Sequence, residues 1–497
     1  MTQANTTSLT NESVEFLSLT KSYINGQWVE GASGRQYNDL NPFDNSTVAS
    51  IAIASKAQLE EAYQAAKEAK KEWAANTQLR EQVLKNFIQY LQANQEAIVN
   101  TLVLETGSSV LKSQVELQLT VGLLEETVKI VDSLGKVKTV DPTMPDKANH
   151  VYRFPLGVVS TIAPFNFPLY LSIRSIAPAL ALGNTVVHKA DIQAGLSSGS
   201  VIAKALEASG VPAGVFNSIL TDIEEIGDTM LEHPEVKLIS FTGSTAVGRH
   251  IGRIAGGAFK RVALELGGNS PFIVLKDADV DQAVKAGIFG KFLHAGQICM
   301  AINRFIVHED VYDEFAKKFV DHASQLPYGN PQDPATIVGP LVNQVQLDKA
   351  VKNIEKLKAA GADVLLEGQL VGNVLTPYVF GNVDNASEVA QNELFAPIAL
   401  LIKASSDEEA IELANDTEYG LSSSIFTTDL ARGEELATRV EAGMTHVNDQ
   451  TVNDLPNIPF GGVKASGVGR YGNPWIVDEF TETKWVSVQE QERPFPF

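Results

Sequence analysis

The sequence predicts an α/β protein made of two units of parallel strands in tandem. Two observations predict it. From residue 158 onward, short β-rich runs (158–162, 185–188, 215–220, 238–241 and 262–264) alternate with helical stretches near 195–209 and 244–254. A second alternating series follows, with runs at 271–275, 304–307 and 398–402 and a helix near 310–325. Alternation of this kind joins parallel strands through right-handed helical crossovers and leaves a ligand crevice at their carboxyl ends.

The elements can be justified in chain order. The first residues, MTQANTTSLTNESVEF, are polar and lack an apolar leader run, so residues 1–18 read as a loose tail on a cytoplasmic protein. Ser55 and Gln58 form a capping-box pattern ahead of Leu59, Ala62, Tyr63, Ala66 and Trp73 at helical spacing. A second helix is predicted from about 79 to 105, with Val83, Phe87, Leu91, Ile98 and Leu102 on one stripe and Gly107 as its stop. Residues 136–153 read as a hairpin around Asp141-Pro142 and Pro145-Asp146. The stretch 154–173 carries no charge, yet Pro155, Pro164 and Pro168 interrupt it. It therefore reads as buried strand, loop and helix start, not as a membrane span. After the glycine-rich segment 461–472, residues 484–488 alternate as a final strand.

Composition narrows the function. The 497 residues include 39 Lys+Arg against 60 Asp+Glu, a net charge of −21, which disfavours nucleic-acid partners. With 44% apolar and 20% charged residues, the chain has the balance of a globular protein. Cys299 is the only cysteine, so no intrachain disulfide can form. The eight histidines fall outside metal-ligand spacing apart from the weak pair His294/Cys299, and no metal site is expected.

Five segments could carry chemistry. Phe241-Thr242-Gly243-Ser244 ends a strand where a helix begins, a place that offers free N–H groups to a phosphate. It lacks the lysine of a P-loop, which argues against ATP hydrolysis, and a plain helix cap would look the same. Cys299, in Gly296-Gln297-Ile298-Cys299, is a nucleophile if its pKa falls from about 8.5 toward neutrality, and otherwise a small buried hydrophobe. Glu265, before Leu266-Gly267-Gly268, is a general base or a strand-end carboxylate. Asn166 is the one amide in an apolar stretch, a preorganised donor if it is not merely satisfied locally. Lys189 ends a strand as a cation suited to a ribose or phosphate, or simply solvated.

Together the segments resemble the NAD(P)-dependent aldehyde dehydrogenase superfamily from about Ser22 to the C-terminus. The family's PWNFP, FTGS, ELGG, GQxC, ExFGP and PFGGxKxSG motifs appear in order as PFNFP (164–168), FTGS (241–244), ELGG (265–268), GQIC (296–299), ELFAP (393–397) and PFGGVKASG (459–467). The resemblance implies two tandem Rossmann-like doubly wound domains plus a small β oligomerisation domain. The NAD(P)-binding domain is expected at 1–134 and 155–263, the catalytic domain at 264–455, and the oligomerisation domain at 135–154 and 475–497. A homodimer or homotetramer is implied.

By the same resemblance, Cys299 attacks the aldehyde, Asn166 and the Cys299 N–H hold the oxyanion, and Glu265 activates water against the thioester. Lys189 and Glu393 are implied for the ribose diols, Gly243 and Ser244 for the pyrophosphate, and Phe395 for nicotinamide-ribose packing, with Phe241 and Phe165 beside them. Phe167, Tyr170, Arg174, Leu293, Ile298, Met300 and Phe460 fall where the family lines its substrate tunnel. Ile192, three residues after Lys189, stands where NAD-selective members often carry Glu, so NAD use with NADP tolerance is expected. Phe165 replaces the usual Trp, Ala396 the Gly of ExFGP, and Tyr471 the Glu of many members. The segments 446–456 and 478–489 most resemble the benzaldehyde, vanillin and salicylaldehyde dehydrogenase branch, which implies an aromatic aldehyde as partner. Rival readings are an aliphatic aldehyde, transfer of the thioester to coenzyme A, a cofactor-free cysteine hydrolase using His294 as base, and a non-enzymatic scaffold. Retention of Glu265 argues for hydrolysis.

Overall fold

The computed structural model describes residues 16–141, 144 and 146–497. The expected tail therefore lies almost wholly outside the described residues, as do Pro142 and Pro145 of the predicted turn. An eight-stranded sheet runs in the order Gln27–Val29, Ser22–Ile24, Phe216–Ile219, Thr185–Lys189, Val158–Ile162, Val236–Thr242, Arg261–Glu265 and Gly467–Val468. Its five central strands are parallel. Strand order reverses at Val158–Ile162, since the next two strands step to one side and the two after them to the other. That switch opens a crevice at the carboxyl ends.

The second sheet has seven strands, in the order Asp363–Leu366, Tyr378–Gly381, Ile398–Ala404, Arg304–His308, Pro271–Val274, Ser422–Phe426 and Met444–Val447. All its pairings are parallel except that of Asp363–Leu366 at one edge. Phe272, Phe305, Phe315 and Phe319 are fully buried in its core, with the Phe305 and Phe319 rings 4.7 Å apart. A buried aromatic side chain of this kind stabilises by roughly 1.5–3 kcal/mol relative to exposure.

The predicted capping box is formed. Ser55 Oγ accepts from the Gln58 N–H at 3.3 Å, and Gln58 Oε1 accepts from the Ser55 N–H at 2.9 Å, starting the helix Lys56–Ala75. The helix expected over 79–105 is instead two, Thr77–Ala93 and Gln95–Thr106. Asn94 breaks it, its side-chain amide donating to the Tyr90 carbonyl at 2.8 Å, because Asn competes for backbone partners. Gly107 ends the second helix at φ 67°, as predicted. A third helix, Val110–Val128, follows and was not anticipated.

The uncharged stretch resolves as the strand Val158–Ile162 and the helix Pro168–Ala181, all of whose residues are buried. Pro168 opens that helix, where its missing N–H costs nothing. The hairpin Gly135–Val140 and Lys147–Pro155 pairs with the final strand Thr481–Gln489 in a three-stranded antiparallel sheet. Phe154, Trp485 and Val488 of this sheet are exposed. The glycine-rich segment returns to the first sheet, where Gly467–Val468 pairs antiparallel with Leu264 and Glu265.

Candidate active site

Three neighbouring strands of the first sheet deliver the first group of side chains. Val158–Ile162, Val236–Thr242 and Arg261–Glu265 lie side by side, with Phe241 opposite Ile162 and Thr242 opposite Glu265. Their carboxyl ends therefore lead together to Asn166, to Gly243-Ser244 and to Glu265. Ser244 caps the helix Thr245–Gly257, so that helix begins with its N–H groups at the crevice. Gly243 is needed because a Cβ there would lie 2.5 Å from the Phe241 ring.

The second unit delivers Cys299 on the turn after the helix Val280–Phe292. His294, Ala295 and Gly296 pass through left-handed backbone at φ 52°, 54° and 75°. The two non-glycine residues store about 1–3 kcal/mol each. Gln297 holds the loop: its side chain donates to the His294 and Pro340 carbonyls and accepts from the Val342 N–H at 2.9 Å. Its own carbonyl accepts from Asn166 Nδ2 at 2.9 Å, which fixes Asn166 to the nucleophile's loop and leaves that amide a second N–H. Gly296 is forced too, since a Cβ there would lie 2.5 Å from the Ala396 carbonyl oxygen.

Glu265 is fully buried. Its Oε2 accepts from Arg174 Nη2 at 3.0 Å, and Arg174 Nη1 donates to Asp454 Oδ2 at 3.0 Å. Burial pushes the Glu265 carboxyl above its usual range while Arg174 pulls it back. The Cys299 thiol is pushed well up, first by burial and then by the Glu265 carboxylate beside it. The Arg174 cation pulls the other way but does not overcome desolvation, so the resting group is a thiol with a carboxylate at hand.

Glu393 reaches the same place from the loop before Ile398–Ala404. Its Oε1 accepts from the Gly268 N–H at 3.1 Å, and burial pushes it up to about 7. The two glycines of Glu265-Leu266-Gly267-Gly268 make this approach possible. A Cβ on Gly267 would lie 3.0 Å from Glu393 Oε2.

Cys299 and Asn166 stand where two cavities meet. One is lined by Phe165, Gly243, Ser244, Glu265, Glu393 and Phe395, with the Phe165 and Phe395 rings edge to face at 5.9 Å. The other is lined by Phe167, Tyr170, Arg174, Ile298, Met300 and Phe460. Leu293 is buried in the core, and neither Lys189 nor Phe241 borders these cavities. Lys189 ends its strand with Nζ 3.3 Å from the Ala190 carbonyl. Arg174 lines the second cavity, but both terminal nitrogens are engaged by carboxylates.

Sequence reasoning missed Asp454, Gln346 and Lys349 at the cavity walls and the tether made by Gln297. It also missed a fully buried Lys112–Glu116 pair at 2.6 Å. Glu116 Oε1 accepts from the Leu169 and Tyr170 N–H groups and so seats the helix that follows Asn166. The capping of that helix by a residue far away in sequence gives the buried pair a role, and no local pattern signals it. His294 is buried beside Phe167 with its imidazole pKa driven well down by burial, and makes no hydrogen bond to Cys299. Among the described residues, no cluster of three or more His, Cys, Asp or Glu side chains could hold a metal ion. No helix among them is long and apolar enough to cross a membrane.

Comparison with known proteins gives the arrangement a family. Residues 28–486 match the model of the aldehyde dehydrogenase family. The chain is 59% identical over 485 residues to AldY of Bacillus subtilis (strain 168), named for the family without a substrate, covering 97% of this chain and 100% of that one. It is 42% identical over 485 residues to the benzaldehyde dehydrogenase YfmT of the same organism, with the same coverage. The crystal structure of Staphylococcus aureus betaine aldehyde dehydrogenase in complex with NAD+ superposes with a TM-score of 0.93 at 29% identity, covering 98% of each chain. The chain belongs to the aldehyde dehydrogenase family and is an oxidoreductase acting on aldehydes.

Proposed function

We propose that the enzyme oxidises an aromatic aldehyde of the benzaldehyde or vanillin type to its carboxylic acid, with NAD(P)+ as hydride acceptor. The observation that carries the reading is that Cys299 and Asn166 stand where the two cavities meet, with Glu265 on the wall of the first. The nicotinamide end of the dinucleotide would lie in the first cavity. Gly243 clears the backbone there, Ser244 opens a helix N-terminus toward a phosphate, and the half-buried Glu393 has an oxygen left for a ribose hydroxyl. When bound, the nicotinamide supplies the acceptor for the substrate's hydride.

The chain's own residues account for the rest. Cys299 gives up its proton to solvent by way of the adjacent Glu265 and its sulfur bonds to the aldehyde carbon, so Glu265 is again a carboxylate when the thioester forms. The free N–H of Asn166 and the Cys299 N–H hold the oxyanion, and losing one such donor costs about 10²–10³ in rate. After hydride departure the carbon is a thioester of Cys299. Glu265 takes a proton from water as its oxygen attacks that carbon, the C–S bond breaks, and the acid leaves. A carboxyl raised by burial is matched to this work near neutral pH.

The aromatic assignment rests on the rings of Phe167, Tyr170 and Phe460 around the second cavity and on relatives named benzaldehyde and vanillin dehydrogenase. We assign dinucleotide binding to the first sheet's unit, the nucleophile to the second, and assembly into a dimer or tetramer to the exposed edge of the three-stranded sheet. A panel of benzaldehyde, vanillin, salicylaldehyde, acetaldehyde, hexanal and betaine aldehyde, followed by NADH absorbance, tests the substrate. The aromatic aldehydes should have the highest kcat/KM, and a strong preference for acetaldehyde, hexanal or betaine aldehyde refutes the assignment. Cys299→Ala should bind NAD without turnover.

A further inference from the structure

Arg174 sits fully buried between two carboxylates, a costly arrangement that a simple packing role does not require. Each terminal nitrogen serves one of them at 3.0 Å, and the guanidinium also lies 4.3 Å from the Phe460 ring centroid and 4.6 Å from that of Tyr471. The cation is therefore fixed in both position and tilt. An arginine facing a single carboxylate takes both its oxygens in a two-pronged hold. Here Asp454 occupies the second prong, so Glu265 is gripped through Oε2 alone. Its Oε1 accepts nothing from any nitrogen or oxygen donor among the described residues.

We propose that Arg174 is a positioning residue for the general base, with Asp454 as its anchor: together they hold Glu265 by one oxygen and keep the other free for the water that cleaves the thioester. The inference rests on Glu265 having the role assigned above. In that step the water oxygen bonds to the acyl carbon, the C–S bond breaks with its electron pair leaving on Cys299, and the water's proton passes to Glu265 Oε1. Arg174 exchanges no proton. It sets where the carboxylate points and how readily it ionises. The charged and titratable groups around Glu265 are Arg174, Asp454, Cys299, Glu393, Tyr170 and Tyr471. Among these, Arg174 and the Cys299 thiol stabilise the carboxylate by direct contact, and Arg174 is the one that does so with a charge and still does once Cys299 is acylated.

The test is a single turnover with enzyme in excess of benzaldehyde (or hexanal) and saturating NAD. NADH absorbance reads the hydride step, and rapid-quench mass spectrometry reads decay of acyl-Cys299, each from pH 5.5 to 9. Arg174→Gln should still form NADH but slow acyl decay by at least about tenfold, with its acid limb moved to higher pH because a favourable charge is gone. Asp454→Asn should move the limb the opposite way, since Arg174 then serves Glu265 alone. Arg174→Lys should restore the limb's position and only part of the rate. If Arg174→Gln does not fold, the downward shift in Asp454→Asn carries the test. An acid limb unmoved in every folded variant, or equal losses in NADH formation and acyl decay, overturns the proposal. Glu265→Gln separates the two readings: unimpaired acyl decay there removes Glu265 as the base, whereas blocked decay with unmoved limbs elsewhere removes only the role of Arg174.

Discussion

Gly268 approaches the nucleophile's loop so closely that a Cβ on it would lie 2.2 Å from the Cys299 carbonyl oxygen. Backbone meets backbone there, and no rotamer change can relieve the clash. Gly268→Ala should push the Cys299 loop away from Glu265 and Asn166 and cut kcat by about 100-fold or more in a protein that still folds. The added methyl should also destabilise by about 1–3 kcal/mol, read as a lower Tm. Gly122, inside the helix Val110–Val128, has nothing within 4 Å of its would-be Cβ. Gly122→Ala should keep full activity and gain roughly 0.5–1 kcal/mol, so the pair separates a steric effect at the site from the generic effect of replacing glycine.

Cys299 rests as a thiol, and this fixes the direction of its pH dependence. Its alkylation by iodoacetamide follows the thiolate fraction, so the inactivation rate should climb about tenfold per pH unit from pH 6.5 to 8.5 without levelling. Because Cys299 is the only cysteine, loss of activity reports on it alone. In Glu265→Gln the neighbouring negative charge is gone while burial remains, so the curve should move to lower pH. Superimposable curves for the two proteins would show that the carboxylate does not face the sulfur.

Both the fold and the reacting groups were legible in the sequence, for different reasons. Parallel strands buried on both faces leave short apolar runs such as 158–162 and 271–274, and these mark the sheets directly. Cys299 and Glu265 stood out through the glycines around them and Asn166 as the one amide in an apolar stretch, and the structure gives those glycines a steric cause in Gly267, Gly268 and Gly296. What stayed hidden depends on long-range partners. The distance in sequence from Arg174 to Asp454, or from Glu116 to Leu169, leaves no periodic trace. Tyr170 and Arg174, four residues apart on the helix Pro168–Ala181, both line the second cavity, but the carboxylates that occupy Arg174 come from elsewhere in the chain. The direction of the thiol's pKa stayed open for the same reason, since burial is a property of the assembled fold.

Glu393 titrates near neutrality, pushed up to about 7 by burial with the Gly268 N–H opposing. Its partner in the bound cofactor is a hydroxyl donor, for which a carboxylate is a better acceptor than a protonated carboxyl. Above that pKa the free enzyme presents the better acceptor, and below it the proton must first be lost. The Kd for NAD should therefore weaken as pH falls from 8 to 6, with its midpoint near 7, when followed by quenching of protein fluorescence. Glu393→Gln should bind NAD more weakly at pH 8 and show no such transition. A parent curve flat across this range would separate Glu393 from the cofactor.

Ile192 decides how strongly the enzyme rejects a 2′-phosphate. It lies in the turn Ile192–Ala194, packed against Ile51, Ala190 and Leu220, and brings no charge to the end of the Lys189 strand. The nearby acidic groups are already engaged: Asp191 accepts from the Gln193 N–H at 3.0 Å, and Asp222 pairs with Arg35 at 2.8 Å. Rejection of NADP by like charge is therefore weak, and the ratio of kcat/KM for NAD over NADP should stay below about 10³, roughly 4 kcal/mol. Ile192→Glu places a carboxylate three residues beyond Lys189 and should raise that ratio by at least about tenfold, mostly through KM for NADP. A parent ratio already above that bound, or an Ile192→Glu enzyme with unchanged preference, would locate the discrimination elsewhere in the crevice.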